Sequence, residues 1–122
     1  MRNASEAEIN DLLDLLTTEK MLVNTDDESV MRMGDALWMV FSNNSVVTSP
    51  DEVVYDLGSW RHAGTIISEY LNKKFGLNTD YMNFYCSFRS PYESKVRDFL
   101  LSRGYKIEYW GDSYLQSGVF DY

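Results

Sequence analysis

The chain has 122 residues, is 44% hydrophobic and 15% aromatic, and carries a formal net charge of −8. That size and aromatic content fit one domain, residues 1–122, able to bury its own core, and they argue against disorder. The single cysteine, Cys86, excludes an internal disulfide, and no apolar run approaches the length of a membrane-spanning helix.

Charge is unevenly placed along the chain. Residues 1–60 hold twelve Asp and Glu against Arg2, Lys20 and Arg32, whereas residues 61–122 hold seven acids against eight Lys and Arg. Such a field steers partners rather than setting the fold. Binding duplex nucleic acid needs a basic face, which the first half lacks and the second interrupts with acids, so no direct nucleic-acid contact is expected. A basic protein partner suits the field better. The stretch Ala4 to Asp14 is polar and acidic, unlike a secretory leader, so a cytoplasmic protein without a membrane anchor is expected.

Residues 5–20 read as an amphipathic helix. Ser5 and Glu8 have capping-box spacing, and Ile9, Leu12, Leu13 and Leu16 form one apolar stripe. A short helix over about 27–33 is expected to stop at Gly34. Ala36 to Phe41 reads as a strand that turns at Asn43-Asn44 and pairs with Val46-Val47-Thr48, a hairpin near 36–48. Ser49-Pro50-Asp51-Glu52 then turns the chain into a strand at Val53-Val54-Tyr55.

A helix is predicted from Ser59, with Ala63, Ile66, Ile67, Tyr70 and Leu71 inward and Gly76 ending it. Gly64 within it implies close packing against a neighbour. Tyr81 to Phe88 alternates as a strand with Met82, Phe84, Cys86 and Phe88 on one apolar face. Ser90-Pro91-Tyr92-Glu93 opens a helix that Gly104 closes, and Tyr105, Ile107 and Tyr109 restart the two-residue period. This strand–helix–strand unit over 81–110 predicts a parallel crossover, or an antiparallel return if another strand intervenes. Residues 111–122 read as an edge strand or a tail. The whole is an α+β domain with a small mixed sheet and helices mainly on one face.

No motif carries a specific chemistry, and no catalytic residue, metal or cofactor is assigned. Cys86 sits among apolar neighbours that raise a thiol pKa, which favours a core role. Asp26-Asp27-Glu28 and Asp51-Glu52 lack the ligand spacing of a calcium loop and fall where caps and turns are expected. Arg89 and Ser90 before a helix, with Arg61 and His62, form an alternative anion-binding or small-enzyme site. The surplus of tyrosine and tryptophan suits binding surfaces, and Tyr81 with Tyr85 and Tyr105 with Tyr109 share strand faces.

In composition and size the chain resembles small acidic immunity proteins and phage anti-defence or host-takeover proteins. The function that follows is a non-catalytic protein-binding module, an inhibitor of a basic nuclease or other nucleic-acid-handling protein. Its contact surface is expected to hold Asp26, Asp27, Glu28, Asp51, Glu52, Tyr81, Tyr85, Tyr105 and Tyr109. A homo-oligomeric structural subunit is the remaining alternative.

Overall fold

A computed structural model describes residues 1–19, 27–42, 44–84 and 91–109. Four helices pack on a four-stranded mixed sheet. The elements run β1 (Arg2–Asn3), α1 (Glu6–Thr18), α2 (Asp27–Ser42), β2 (Ser45–Thr48), β3 (Val53–Tyr55), α3 (Trp60–Phe75), a 3-10 turn (Tyr81–Asn83), α4 (Pro91–Ser102) and β4 (Lys106–Tyr109). The strand order is β1-β3-β2-β4. β1 and β3 are parallel, and β2 runs antiparallel to both β3 and β4.

The start of α1 is built as its sequence predicts. Ser5 Oγ accepts the Glu8 amide at 3.2 Å, and the Glu8 carboxylate accepts the Ser5 amide at 3.1 Å. Both guanidinium arms of Arg2 reach the same carboxylate, at 2.6 and 2.7 Å, which ties β1 to α1. Ser59 caps α3, and Gly76, with φ of 68°, ends it as expected. Gly104 closes α4, where the Tyr105 amide reaches the Leu100 carbonyl at 3.0 Å and the Gly104 amide reaches that of Leu101 at 3.1 Å, the pairing of a Schellman cap.

Two expectations fail in α2. The helix does not stop at Gly34, and Ala36 to Phe41 is its continuation rather than a strand. Every residue from Ala36 to Ser42 is buried, because α2 lies between α3, α4 and β2. A helix apolar on all sides has no 3.6-residue stripe, and a short apolar run then looks like a strand. Burying Leu37, Val40 and Phe41 at about 1.5–3 kcal/mol each outweighs the roughly 1 kcal/mol that a glycine costs inside a helix. The hairpin therefore joins β2 to β3, over 45–55.

A third correction concerns the strand predicted from Tyr81. Tyr81–Asn83 is a 3-10 turn, capped by Asp80, whose carboxylate accepts the Met82 amide at 2.8 Å. Asp80 and Asn83 bond locally, and this polar pair selects a turn over a ladder. Residues 85–90, including Cys86, lie outside the described segments, as do 110–122. β4 runs antiparallel beside β2, and among the described residues no strand lies between α3 and α4 to form a parallel crossover with it.

Gly64 in α3 is tightly packed. A Cβ there would stand 2.7 Å from Tyr81 Cβ, 3.3 Å from its Cα and 3.4 Å from Trp38 Cδ1. The same change at an open helical site would add about 1 kcal/mol of stability. Here, Gly64→Ala is expected to lower it by about 1–3 kcal/mol, read as a lower urea midpoint.

The N-terminal tie is pH-dependent. The Arg2 donors, and then the Ser5 amide, hold the Glu8 carboxyl down from 4.5 to about 2. A depressed carboxyl contributes stability above its ordinary value and loses it as pH falls through its folded value. Acidification from pH 4.5 toward 2 is therefore expected to free β1. The Ala4 amide, bonded to the Val54 carbonyl at 2.7 Å, reports this as lost hydrogen-exchange protection, and Glu8→Gln should show that loss already at neutral pH.

Candidate functional site

Two concave surfaces flank the core. The larger, about 880 Å³, is a groove between α1 and α3. Ile9 and Ile66, both half-buried, are its apolar members, and Glu6, Asn10, His62, Thr65, Glu69 and Lys73 are among its polar ones. Side chains bridge the helices at one end of it. The Tyr70 hydroxyl donates to Asp14 Oδ1 at 2.7 Å and lies 2.8 Å from Thr17 Oγ1, while Lys74 Nζ reaches Asp14 at 3.1 Å. The Tyr70 and Lys74 bonds hold the Asp14 carboxyl below its ordinary range. Burial, helped by Asp14 and partly opposed by Thr17, pushes the Tyr70 phenol up.

His62 is exposed in this groove, but no carboxylate orients its imidazole among the described residues. Its amide is already taken by Ser59 Oγ at 3.4 Å. General-base chemistry needs the orienting partner, and an anion cradle needs free amides. Arg61 points elsewhere, its guanidinium carbon 5.4 Å from the Trp60 ring centre and 5.5 Å from that of Tyr81. The two residues of the predicted anion site thus serve different surfaces. Their expected companions, Arg89 and Ser90, lie outside the described residues.

The second surface is the side of the sheet that faces away from the helices. Alternation along the strands sends Val47, Val53, Tyr55 and Ile107 toward the helical layer. The registers place Asn3, Val54, Thr48 and Lys106 in one row across four strands on the other face, with Glu108 opposite Val46 in the next. With Glu52, Asp56 and Pro50, these residues line a depression of about 440 Å³, in which Val46 is only 6% exposed. Its charged side chains are Glu52, Asp56, Glu108 and Lys106. The three carboxylates form no ion pair among the described residues.

Of the acids predicted for partner binding, Asp51 and Glu52 are exposed at the tip of the β2–β3 hairpin. The Glu52 amide donates to the Ser49 carbonyl at 2.9 Å and the Val53 amide to Ser49 Oγ at 3.1 Å. This closes a tight turn that puts Glu52 at φ of 65°, a left-handed conformation that favours glycine. Glu28 is exposed on α2 and paired with Arg32 at 2.8 Å. Asp27 begins α2, and Asp26 lies outside the described residues.

The predicted tyrosines divide similarly. Tyr81 is half-buried against Trp60, ring centres 5.6 Å apart, in the 3-10 turn rather than a strand, and Tyr85 lies outside the described segments. Tyr105 precedes β4 and packs half-buried on Tyr55 at 6.3 Å; burial, then Asp51, pushes its hydroxyl up. Tyr109 ends β4, where it pairs in register with Ser45. Lys106, Glu108 and Asp56 were missed as site residues. The alternation around Ile107 already placed Lys106 and Glu108 on the face opposite it.

Among the described residues no group of three His, Cys, Asp or Glu is placed to hold a metal, and no helix is long and apolar enough to cross a membrane. No protein family matches the chain, and no curated protein or solved structure is significantly similar to it.

The left-handed position makes a direct prediction. Relieving about 1–2 kcal/mol of backbone strain by Glu52→Gly is offset by roughly 0.5–1 kcal/mol of added unfolded-chain entropy. The net expected is a gain of up to about 1 kcal/mol in chemical denaturation, obtained by removing one of the exposed acids.

Proposed function

We propose that this chain is a non-catalytic protein-binding module whose open sheet face receives a basic protein, and that it acts as an inhibitor of a nucleic-acid-handling partner. The supporting observation is the depression in which Glu52, Asp56 and Glu108 stand around the single cation Lys106. Some acids elsewhere are neutralised locally, as in the Glu8–Arg2, Asp14–Lys74 and Glu93–Arg97 pairs. On the open face the carboxylates keep their field for a partner.

The physics favours a protein over a small substrate. The depression is built on a sheet, a rigid platform that needs no closure to present its charges. Desolvating carboxylates against Lys or Arg gives register and fast encounter, while Val54 and Pro50 supply apolar contact between them. A nucleic-acid-binding protein has the complementary basic surface, and the −8 charge keeps the module itself off nucleic acid. A cytoplasmic setting completes the proposal, consistent with one cysteine and no possible internal disulfide.

Affinity capture from the source cells, with the wild-type chain and a Glu52→Gln, Asp56→Asn, Glu108→Gln variant of matched circular dichroism, tests the assignment. A basic protein retained by the wild type and lost or at least about tenfold weakened in the variant is expected, with association slowing as salt rises. Retention unchanged in the triple variant would place the interface elsewhere.

A further inference from the structure

We propose that Arg61, stacked against Trp60 and Tyr81 at the start of α3, is a second recognition point that binds a carboxylate on an acidic, partly apolar protein segment. This goes beyond the basic partner of the sheet face: it concerns another surface, a ligand of opposite charge, and a separate measurement.

Arg61 differs from the other described arginines in its partners. Arg2 pairs with Glu8 at 2.6 Å, Arg32 with Glu28 at 2.8 Å, Arg97 with Glu93 at 3.0 Å and Arg103 with Glu19 at 3.5 Å. Arg61 has no carboxylate partner among the described residues, in a chain with nineteen acids to offer one. Its guanidinium is held instead by the two rings, 5.4 and 5.5 Å from their centres. Ring contact steadies the fork while leaving its N–H donors unpaired, so less side-chain entropy is lost when an anion arrives.

The rings are themselves well anchored. Tyr81 rests on Gly64, whose missing side chain makes room for it, and the Asp80 cap fixes the turn that carries it. The Asp80 carboxylate is engaged with the Met82 amide. Met82, the next residue of that turn, is 75% exposed. Arg, Trp, Tyr and Met are the side chains enriched where protein interfaces concentrate their binding energy.

Charge selects the kind of anion. A polyphosphate chain would bring many charges into the −8 field and be repelled. A single carboxylate brings one, matches the guanidinium fork in two parallel hydrogen bonds, and can be flanked by apolar side chains that cover Met82 and the ring edges. The structure thus assigns the patch to an Asp or Glu set between hydrophobic residues.

The test uses the whole chain and two blocked tripeptides, Ac-Leu-Glu-Leu-NH2 and Ac-Leu-Gln-Leu-NH2, titrated to millimolar levels and followed by NMR. The Trp60 indole and Arg61 Nε signals are expected to shift with the Glu peptide, which should bind about fivefold more tightly than the Gln peptide, near 1 kcal/mol. Arg61→Ala should abolish that preference. Arg61→Lys, which keeps the charge without the fork, should reduce it to twofold or less. Equal binding of the two peptides, an undiminished preference in either variant, or equal shifts from inorganic phosphate at the same concentration would each overturn the proposal.

Discussion

The complete burial of the second half of α2 is the constraint on which this fold depends. From Ala36 to Ser42 the helix has no solvent side, so its neighbours must approach from every direction. Two glycines make that approach possible in different helices. At Gly34 a Cβ would lie 2.7 Å from both Leu71 Cδ1 and Phe84 Cε1; at Gly64 it would meet Tyr81 and crowd Trp38. The first lets α3 and Phe84 close on α2, and the second lets the turn after α3 close on α3 itself. Close packing of this kind gives little room for compensating shifts.

With the helical layer committed to that core, the charged groups divide by location. Some acids on the helices have cations within reach on the same or a neighbouring helix, as at Glu28–Arg32, Asp14–Lys74 and Glu93–Arg97. Exposed pairs of this sort contribute little to stability, but they mute the local field. The sheet's outer face has three carboxylates and one lysine with no such pairing. Net charge thus becomes a property of place, and the acidic first half of the sequence is only part of it, since Glu108 comes from near the other end.

Local chemistry made much of the architecture legible before any coordinates. The Ser5–Glu8 box, the Ser59 cap, the Gly76 and Gly104 stops and the reason for Gly64 all rest on contacts between near neighbours in sequence or on one missing side chain. What escaped depended on distant segments. Ala36 to Phe41 is helical because α3, α4 and β2 surround it, and periodicity carries no trace of that. Tyr81 shows the reverse case, in which real alternation lost to the Asp80–Asn83 cap. For the candidate site, Asp51 and Glu52 were found as turn acids, but their grouping with Asp56 and Glu108 required the registers of β2, β3 and β4. Arg61 and His62, adjacent in sequence, lie on different surfaces, one against Trp60 and Tyr81 and the other in the α1–α3 groove.

The sheet order also carries a consequence for how the chain assembles. Its central pair, β2 and β3, is joined by a tight turn, whereas β1 must find Val53 and Val54 across some fifty intervening residues. Closing a loop of that length is entropically slow compared with zipping a hairpin, and contacts of large sequence separation set the pace of folding. The inner hairpin can therefore template the sheet early, with β1 and β4, both paired across long stretches of chain, docking onto it later. The hairpin would thus set Glu52 in place before β4 brings Glu108 to the same face.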